Sequence, residues 1–203
     1  PYEVIKDLEN IQYFISAAPR IKKNGILSNT VNKTNVIITG IDMERELKTT
    51  DLFKNLKKEE HLTSGAQILL GKRLSELLKN NKGDFMLLYS RTQYKANNLM
   101  DVTVSGIYSI GFALMEKITV YIPFDFAQQF FDMDNCATEI IVKIKDKKFV
   151  PLVKHQIQNI LNNKYPDLIV RDWTQEAEGL IAGAQADFIS YAVLFAILFF
   201  LAI

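Results

Sequence analysis

Residues 188–203 carry no charge and one clearly polar side chain, Ser190. Phe188, Tyr191, Phe195, Phe199, Phe200 and Ile203 punctuate a run that is otherwise aliphatic. Such a segment has to leave water. As an α-helix, its sixteen residues reach about 24 Å, short of the roughly 30 Å hydrocarbon slab of a bilayer. The run therefore predicts the first part of a transmembrane helix, with the mixed sequence before it forming a water-exposed domain that stands on the membrane. The alternative is a C-terminal helix buried in the domain core. The chain opens at Pro1 on what reads as mid-domain sequence with no signal peptide, so a preceding segment such as a first transmembrane helix is expected.

The remainder is ordinary globular material, long enough for one sizeable core or two small ones. Twenty-four basic residues face twenty-three acidic ones, a net charge of +1. A nucleic-acid binder needs a basic excess or stripe, and the Lys-rich stretch 143–148 alternates with apolar and acidic residues instead; no nucleic-acid partner is expected. Cys136 is the only cysteine, which excludes a disulfide within the chain.

Periodicity divides the chain into short elements. Residues 2–10 read as a helix, and 13–27 as strand interrupted by Pro19 and by a turn at Asn24-Gly25. Residues 35–39 read as a buried strand, and 43–58 as broken surface helix. A strand at 67–70 precedes a helix at 72–80. Phe85, Leu87 and Tyr89 alternate with Met86 and Leu88 as in a strand buried on both faces. Residues 90–100 are polar and aperiodic, a loop or hairpin tip. Strands follow from Val102 and around Ile118–Ile122, with Pro123 at a helix start. A strand over Ile140, Val142 and Ile144 leads to a helix opened by Pro151 and broken by Pro166. A short strand at 168–170 is expected next. Asp172 and Gln175 have the spacing of a capping box, and no proline separates the helix they begin from the apolar tail. The whole is α+β.

Most candidate chemistry fails on spacing. Gly65 and Gly71-Lys72 suggest a phosphate loop, but five residues separate the glycines and Arg73 stands where a hydroxyl should hold magnesium. His61 and His155 are isolated, so a zinc site lacks ligands. The acidic pairs Glu59-Glu60, Asp132/Asp134 and Glu176/Glu178 lie in polar surroundings, without the apolar pocket that raises a carboxyl pKa. No G-x-S-x-G elbow is present. The expectation is no catalytic, metal or cofactor site and no enzyme activity of the chain itself. Gly179 and Gly183, with Ala186, form a small-residue face suited to close helix packing or lipoprotein contact.

Several motifs, in order, resemble one family: Ile38-Thr39-Gly40-Ile41-Asp42; Ile68-Leu69-Leu70-Gly71-Lys72-Arg73-Leu74 with Leu77-Leu78; Lys82-Gly83-Asp84; Val104-Ser105-Gly106-Ile107-Tyr108; Val120-Tyr121-Ile122-Pro123 with Ala127-Gln128; and Asp172-Trp173 before the apolar run. Their order and spacing are similar to the extracytoplasmic domain of FtsX-like ABC transporter permeases, the MacB and LolC/LolE group. The resemblance implies a porter-like α/β subdomain from residues 1–40 and 135–172, with an inserted β-rich, sabre-like subdomain at 41–134. A stalk helix over 173–203 would run into a truncated transmembrane helix. It also implies a bacterial inner-membrane protein whose domain faces the periplasm. The partners would be a cytoplasmic ABC ATPase subunit and a second permease subunit, in a homo- or heterodimer.

The branch stays open. LolC/LolE-type proteins extract lipoproteins from the inner membrane and pass them to a periplasmic carrier. MacB-type proteins drive peptides, toxins or drugs toward an outer-membrane duct and its adaptor. The expectation here is a lipoprotein-releasing complex, with a MacB-like exporter or a non-transport sensor or regulator ectodomain as alternatives. Residues 90–100 lie where LolC-type chains carry a proline-flanked hook; here the segment is shorter and proline-free. Arg91, Tyr94 and Lys95 are its candidate partner contacts, against the plainer reading of an ordinary exposed hairpin. Deleting residues 188–203 should leave a soluble, folded, monomeric domain by size-exclusion chromatography and circular dichroism; an unfolded product would assign those residues to the core.

Overall fold

The computed structural model describes residues 1–175. It divides into two compact units, Pro1–Lys145 and a second that begins at Asp146.

The first unit is organised by one long strand. β1 (Phe14–Ser28) pairs antiparallel with β7 (Glu139–Ile144) along its first half and with β2 (Lys33–Ile41) along its second. Its last residues, Gly25–Ser28, also pair with β4 (Phe85–Arg91). β2 runs parallel to β6 (Thr119–Pro123), β6 antiparallel to β3 (Gln67–Gly71), β3 parallel to β5 (Asn97–Tyr108), and β5 antiparallel to β4. The ladder from β1 through β2, β6, β3, β5 and β4 thus returns to β1, a closed ring of six strands with β7 appended at its side. Closure leaves few open edges for unwanted pairing.

The ring's inward positions follow the two-residue period of strands. Ile21 and Leu27, Val36 and Ile38, Ile68 and Leu70, Met86 and Leu88, Val102 and Val104, and Val120 and Ile122 form one buried cluster. Each such side chain contributes on the order of 1.5–3 kcal/mol on burial. Two helices complete the cluster, α3 (Lys72–Leu78) through Leu74 and Leu78, and α5 (Phe124–Phe131) through Phe126, Ala127, Phe130 and Phe131.

Crowding explains what the local sequence did not. The Asn24-Gly25 pair is no turn: Gly25 lies mid-strand where β1 meets both β2 and β4, and a Cβ there would stand 2.3 Å from Ile38 Cδ1 and 2.6 Å from the Tyr89 carbonyl. Pro19 does not interrupt β1 either. It pairs opposite Ile140 one residue before the β2 ladder begins, where β1 has a neighbour on one side only, so its missing N–H is tolerated. The strand expected at 168–170 does not form.

A register shift in β5 builds a second cluster. Ile68 stands opposite Val104 but Leu69 opposite Gly106, so Ser105 is a bulge. The extra residue reverses the faces of everything after it. Tyr108 therefore points away from the ring interior and joins Ile41, Met43, Phe53, Leu62, Leu69 and Tyr121. Phe53, Tyr108 and Tyr121 meet edge to face, with centroids 4.9–5.9 Å apart; such pairs add to the area they bury. Met43 of α2 (Met43–Thr49), Phe53 and Leu62 cover this face, the first two in a stretch expected to be broken surface helix. α2 itself is held by a buried ion pair. Arg20 Nε donates to Glu46 Oε2 at 3.1 Å and its terminal nitrogen donates to Glu46 Oε1, while Thr50 Oγ1 donates to the same Oε1 at 2.9 Å. Glu46 is fully buried, so loss of Arg20 alone would strand a charge.

The helix α4 (Ala113–Ile118) has no sequence signature of its own and is held by its own buried glutamate and by its close approach to Gly71. Glu116 is buried, and its Oε1 accepts from Ser109 Oγ at 2.9 Å, Ile110 N at 2.8 Å and Gly111 N at 3.0 Å. Burial pushes this carboxyl up, and the three donors more than reverse the effect, leaving it below the usual carboxylate range. Gly71 lets the α4 backbone approach: a Cβ there would sit 2.1 Å from the Glu116 carbonyl oxygen.

In the second unit, α6 (Val150–Lys164) has Pro151 in its first turn and buries Val153, Ile157 and Leu161. The capping box forms as its spacing required. Gln175 N donates to Asp172 Oδ1 at 3.3 Å, and Asp172 N to Gln175 Oε1 at 3.2 Å. Lys154 Nζ on α6 donates to Asp172 Oδ2 at 2.8 Å and Gln175 Oε1 at 2.9 Å. These bonds, with that from Thr174, hold the Asp172 carboxyl well below its ordinary range.

Gly71→Ala should lower stability by about 2–3 kcal/mol, read from the urea midpoint; an unchanged midpoint would mean that α4 does not press on β3. For Glu116, a folded pKa below the unfolded one gives a contribution that is full above the unfolded value and is lost as pH falls through the folded one. Glu116→Gln should therefore flatten the acid limb of the stability profile, and an acid limb identical to that of the parent would remove the clamp from the account.

Candidate functional site

β4 and β5 form a hairpin whose inner face belongs to the core and whose outer face does not. Met86 and Leu88 are buried, but Phe85 is 75% exposed and Leu87 and Tyr89 are half-buried. The strand is thus buried on one face, not two. Tyr89 stands between Ile26 of β1 and Leu99 of β5, so a row of apolar side chains crosses three strands on the outside. Leu99 and Met100 are also exposed. Isolated apolar residues on a surface mean little, whereas several on one element mark contact.

The tip spans residues 92–96, between the paired Arg91 and Asn97. Thr92 N donates to the Ala96 carbonyl at 2.8 Å and Lys95 N to the Thr92 carbonyl at 3.1 Å. Lys95 takes a left-handed backbone, φ 66°, the position that glycine or asparagine usually fills in a hairpin of this length. For lysine this costs on the order of 1–2 kcal/mol.

The tip is braced by α5. The last carbonyls of a helix lack partners within it, and here the hairpin supplies them. Gln93 N donates to the Phe131 carbonyl at 2.9 Å, Gln93 Nε2 to the Asp132 carbonyl, and Asn98 Nδ2 to the Phe130 carbonyl at 2.9 Å. Asp132 ends α5 in the left-handed conformation, φ 59°. Ordering the loop is therefore done in the free protein.

Arg91, Tyr94 and Lys95, the residues singled out in the sequence, all lie exposed at this tip, Tyr94 to 74%. Neither cation makes an ion pair among the described residues. Sequence reasoning missed Phe85, Leu99 and Met100 as exposed surface, and Gln93 and Asn98 as braces. No local pattern reveals a side chain that bonds a helix end more than thirty residues away. The face of Gly179, Gly183 and Ala186, the apolar run 188–203 and the pair Glu176/Glu178 lie outside the described residues.

Other candidates resolve into structure. Gly71-Lys72 is the junction of β3 and α3, with Gly71 pressed on the Glu116 backbone. His155 is exposed and within 3.3 Å of Asn159 Nδ2, and His61 is half-buried. Among the described residues no three His, Cys, Asp or Glu side chains gather as a metal site, and no helix is long and apolar enough to cross a membrane.

No protein-family model and no curated protein sequence matches the chain. Solved structures do. The extracellular domain of the noncanonic ABC-type transporter YknZ from Gram-positive bacteria matches with a TM-score of 0.55 and 15% identity, over 81% of this chain and 83% of that one. The periplasmic region of MacB from Actinobacillus actinomycetemcomitans matches with a TM-score of 0.56 and 16% identity, over 80% of this chain and 72% of that one. At such identities the likeness is one of fold. The chain has the α+β fold of these extracytoplasmic ABC-transporter domains.

Proposed function

We propose that this chain is the extracytoplasmic domain of an FtsX/MacB-like ABC transporter permease subunit, held at the bacterial inner membrane and facing the periplasm. It would pass motion driven by a separate cytoplasmic ATPase to a partner outside the membrane, with a second permease subunit alongside. The observation that carries the reading is the braced hairpin tip on a domain with the fold of YknZ and MacB. A rigid tip transmits displacement, whereas a floppy one absorbs it. In this reading residues 1–40 and 135–172 form the porter-like part and 41–134 the inserted part, and β1 of the first part pairs with β4 of the second. The stalk expected over 173–203, which lies almost wholly outside the described residues, would carry the motion, with Gly179, Gly183 and Ala186 as its packing face, and the chain itself would perform no catalysis and hold no cofactor.

The short, proline-free tip, with Arg91, Tyr94 and Lys95 outward, argues against a LolC-like hook and leaves a LolE-like subunit or, with the fold likeness to MacB, an exporter that meets a periplasmic adaptor. A second reading, release of lipoproteins to a carrier, is favoured by the apolar outer face of Phe85, Tyr89 and Leu99, which suits acylated cargo.

A photo-crosslinking residue at Tyr94, in the full-length parent protein in its own membrane, should trap an adaptor protein if the chain serves an exporter and a lipoprotein carrier if it serves release. Arg91→Glu with Lys95→Glu should cut the crosslink at least tenfold without changing folding. Capture of neither class, with an ATPase that fails to co-purify, would sink the transporter reading.

A further inference from the structure

A second surface lies on the two helices that pack beside β3. α3 and α4 lie side by side because Gly71 admits the α4 backbone. Both are short, seven and six residues. Their inward side chains, Leu74, Leu78 and Glu116, are buried, but their outward ones are not. Leu77 and Leu114 are half-exposed, as is Phe112 at the start of α4. Between the helices runs an open groove lined by Arg73, Glu76, Leu77, Ala113, Leu114 and Lys117.

The charges around it are uneven. Arg73 and Lys117 line the groove, and Lys72 and Lys79 flank the outward face of α3, four exposed cations against the single exposed acid Glu76. Arg73 holds Glu76 at 3.1 Å, while Lys117 makes no ion pair among the described residues. For a chain whose net charge is only +1, this is a local basic excess around exposed apolar side chains.

We propose that the groove docks an acidic protein segment that presents one leucine- or phenylalanine-sized side chain. The apolar side chain would lie against Leu77 and Leu114 over the small Ala113, and its flanking carboxylates would meet Lys117 and Arg73. Burial of one such side chain supplies affinity and the charges supply register and partner choice. A bilayer fits less well. The groove is shallow, but its lining includes the exposed carboxylate of Glu76, which anionic headgroups would meet. The proposal is independent of the hairpin and of any transport role.

The test uses the full chain, two fluorescent helical peptides of about sixteen residues and fluorescence anisotropy. One peptide carries a single Leu flanked by Glu, and the other has Lys in place of every Glu. The acidic peptide should bind at least tenfold more tightly, and added salt should weaken it. Arg73→Glu with Lys117→Glu should reverse the preference, and Ala113→Trp should abolish binding by filling the groove; circular dichroism checks that each variant folds. Equal binding of both peptides, no binding of either, or a preference unmoved by the double variant overturns the proposal. So does adsorption to phosphatidylglycerol vesicles that the double variant abolishes while neither peptide binds, which would assign the face to lipid.

Discussion

β1 has three partners, and the first unit is arranged around the place where it changes them. Its N-terminal half pairs with β7; its C-terminal half pairs with β2 and, at the end, with β4. Backbone groups that pair on both sides in the interior need no water, so the ring can enclose a dry apolar cluster. Where three strands converge there is no room for a side chain. Gly25 answers that constraint, with the Tyr89 carbonyl and the Ile38 methyl standing where a Cβ would be. Gly40 likewise admits Ala127 of α5 against β2.

From that ring the remaining parts follow by contact. The bulge at Ser105 sends Tyr108 outward and so creates a second apolar face for residues 50–62 to cover. Tyr108 then donates its hydroxyl to the Thr119 carbonyl at 3.0 Å, tying the end of β5 to the start of β6. Glu116 closes the turn between β5 and α4. α5 begins directly at the end of β6 and finishes against the hairpin. The tip is thus joined through one helix to a strand of the ring.

Elements whose signals are local were legible in the sequence. Pro123 and Pro151 mark helix starts, Asp172 and Gln175 cap as spaced, and the β-branched run in β2 is a strand. Elements decided by distant residues were not. α4 depends on Gly71 and on a buried glutamate bonding the preceding turn. The face of Tyr108 depends on a bulge that alternation cannot reveal. Phe85, Leu87 and Tyr89 look like core because they are apolar, but the ring covers only the Met86 and Leu88 side of β4. The tip residues were legible because their composition is polar and aperiodic, while the bonds that stiffen them reach across the fold.

Those bonds bear on association kinetics. Gln93 and Asn98 fix the loop before anything arrives, so encounter requires no folding step at the tip and little conformational search. For the partner proposed at Tyr94 and its neighbours, association would then be limited by diffusion and orientation, roughly 10⁵–10⁷ per molar per second. Residence time, set by how well that partner covered the apolar outer face, would be the quantity through which affinity varied.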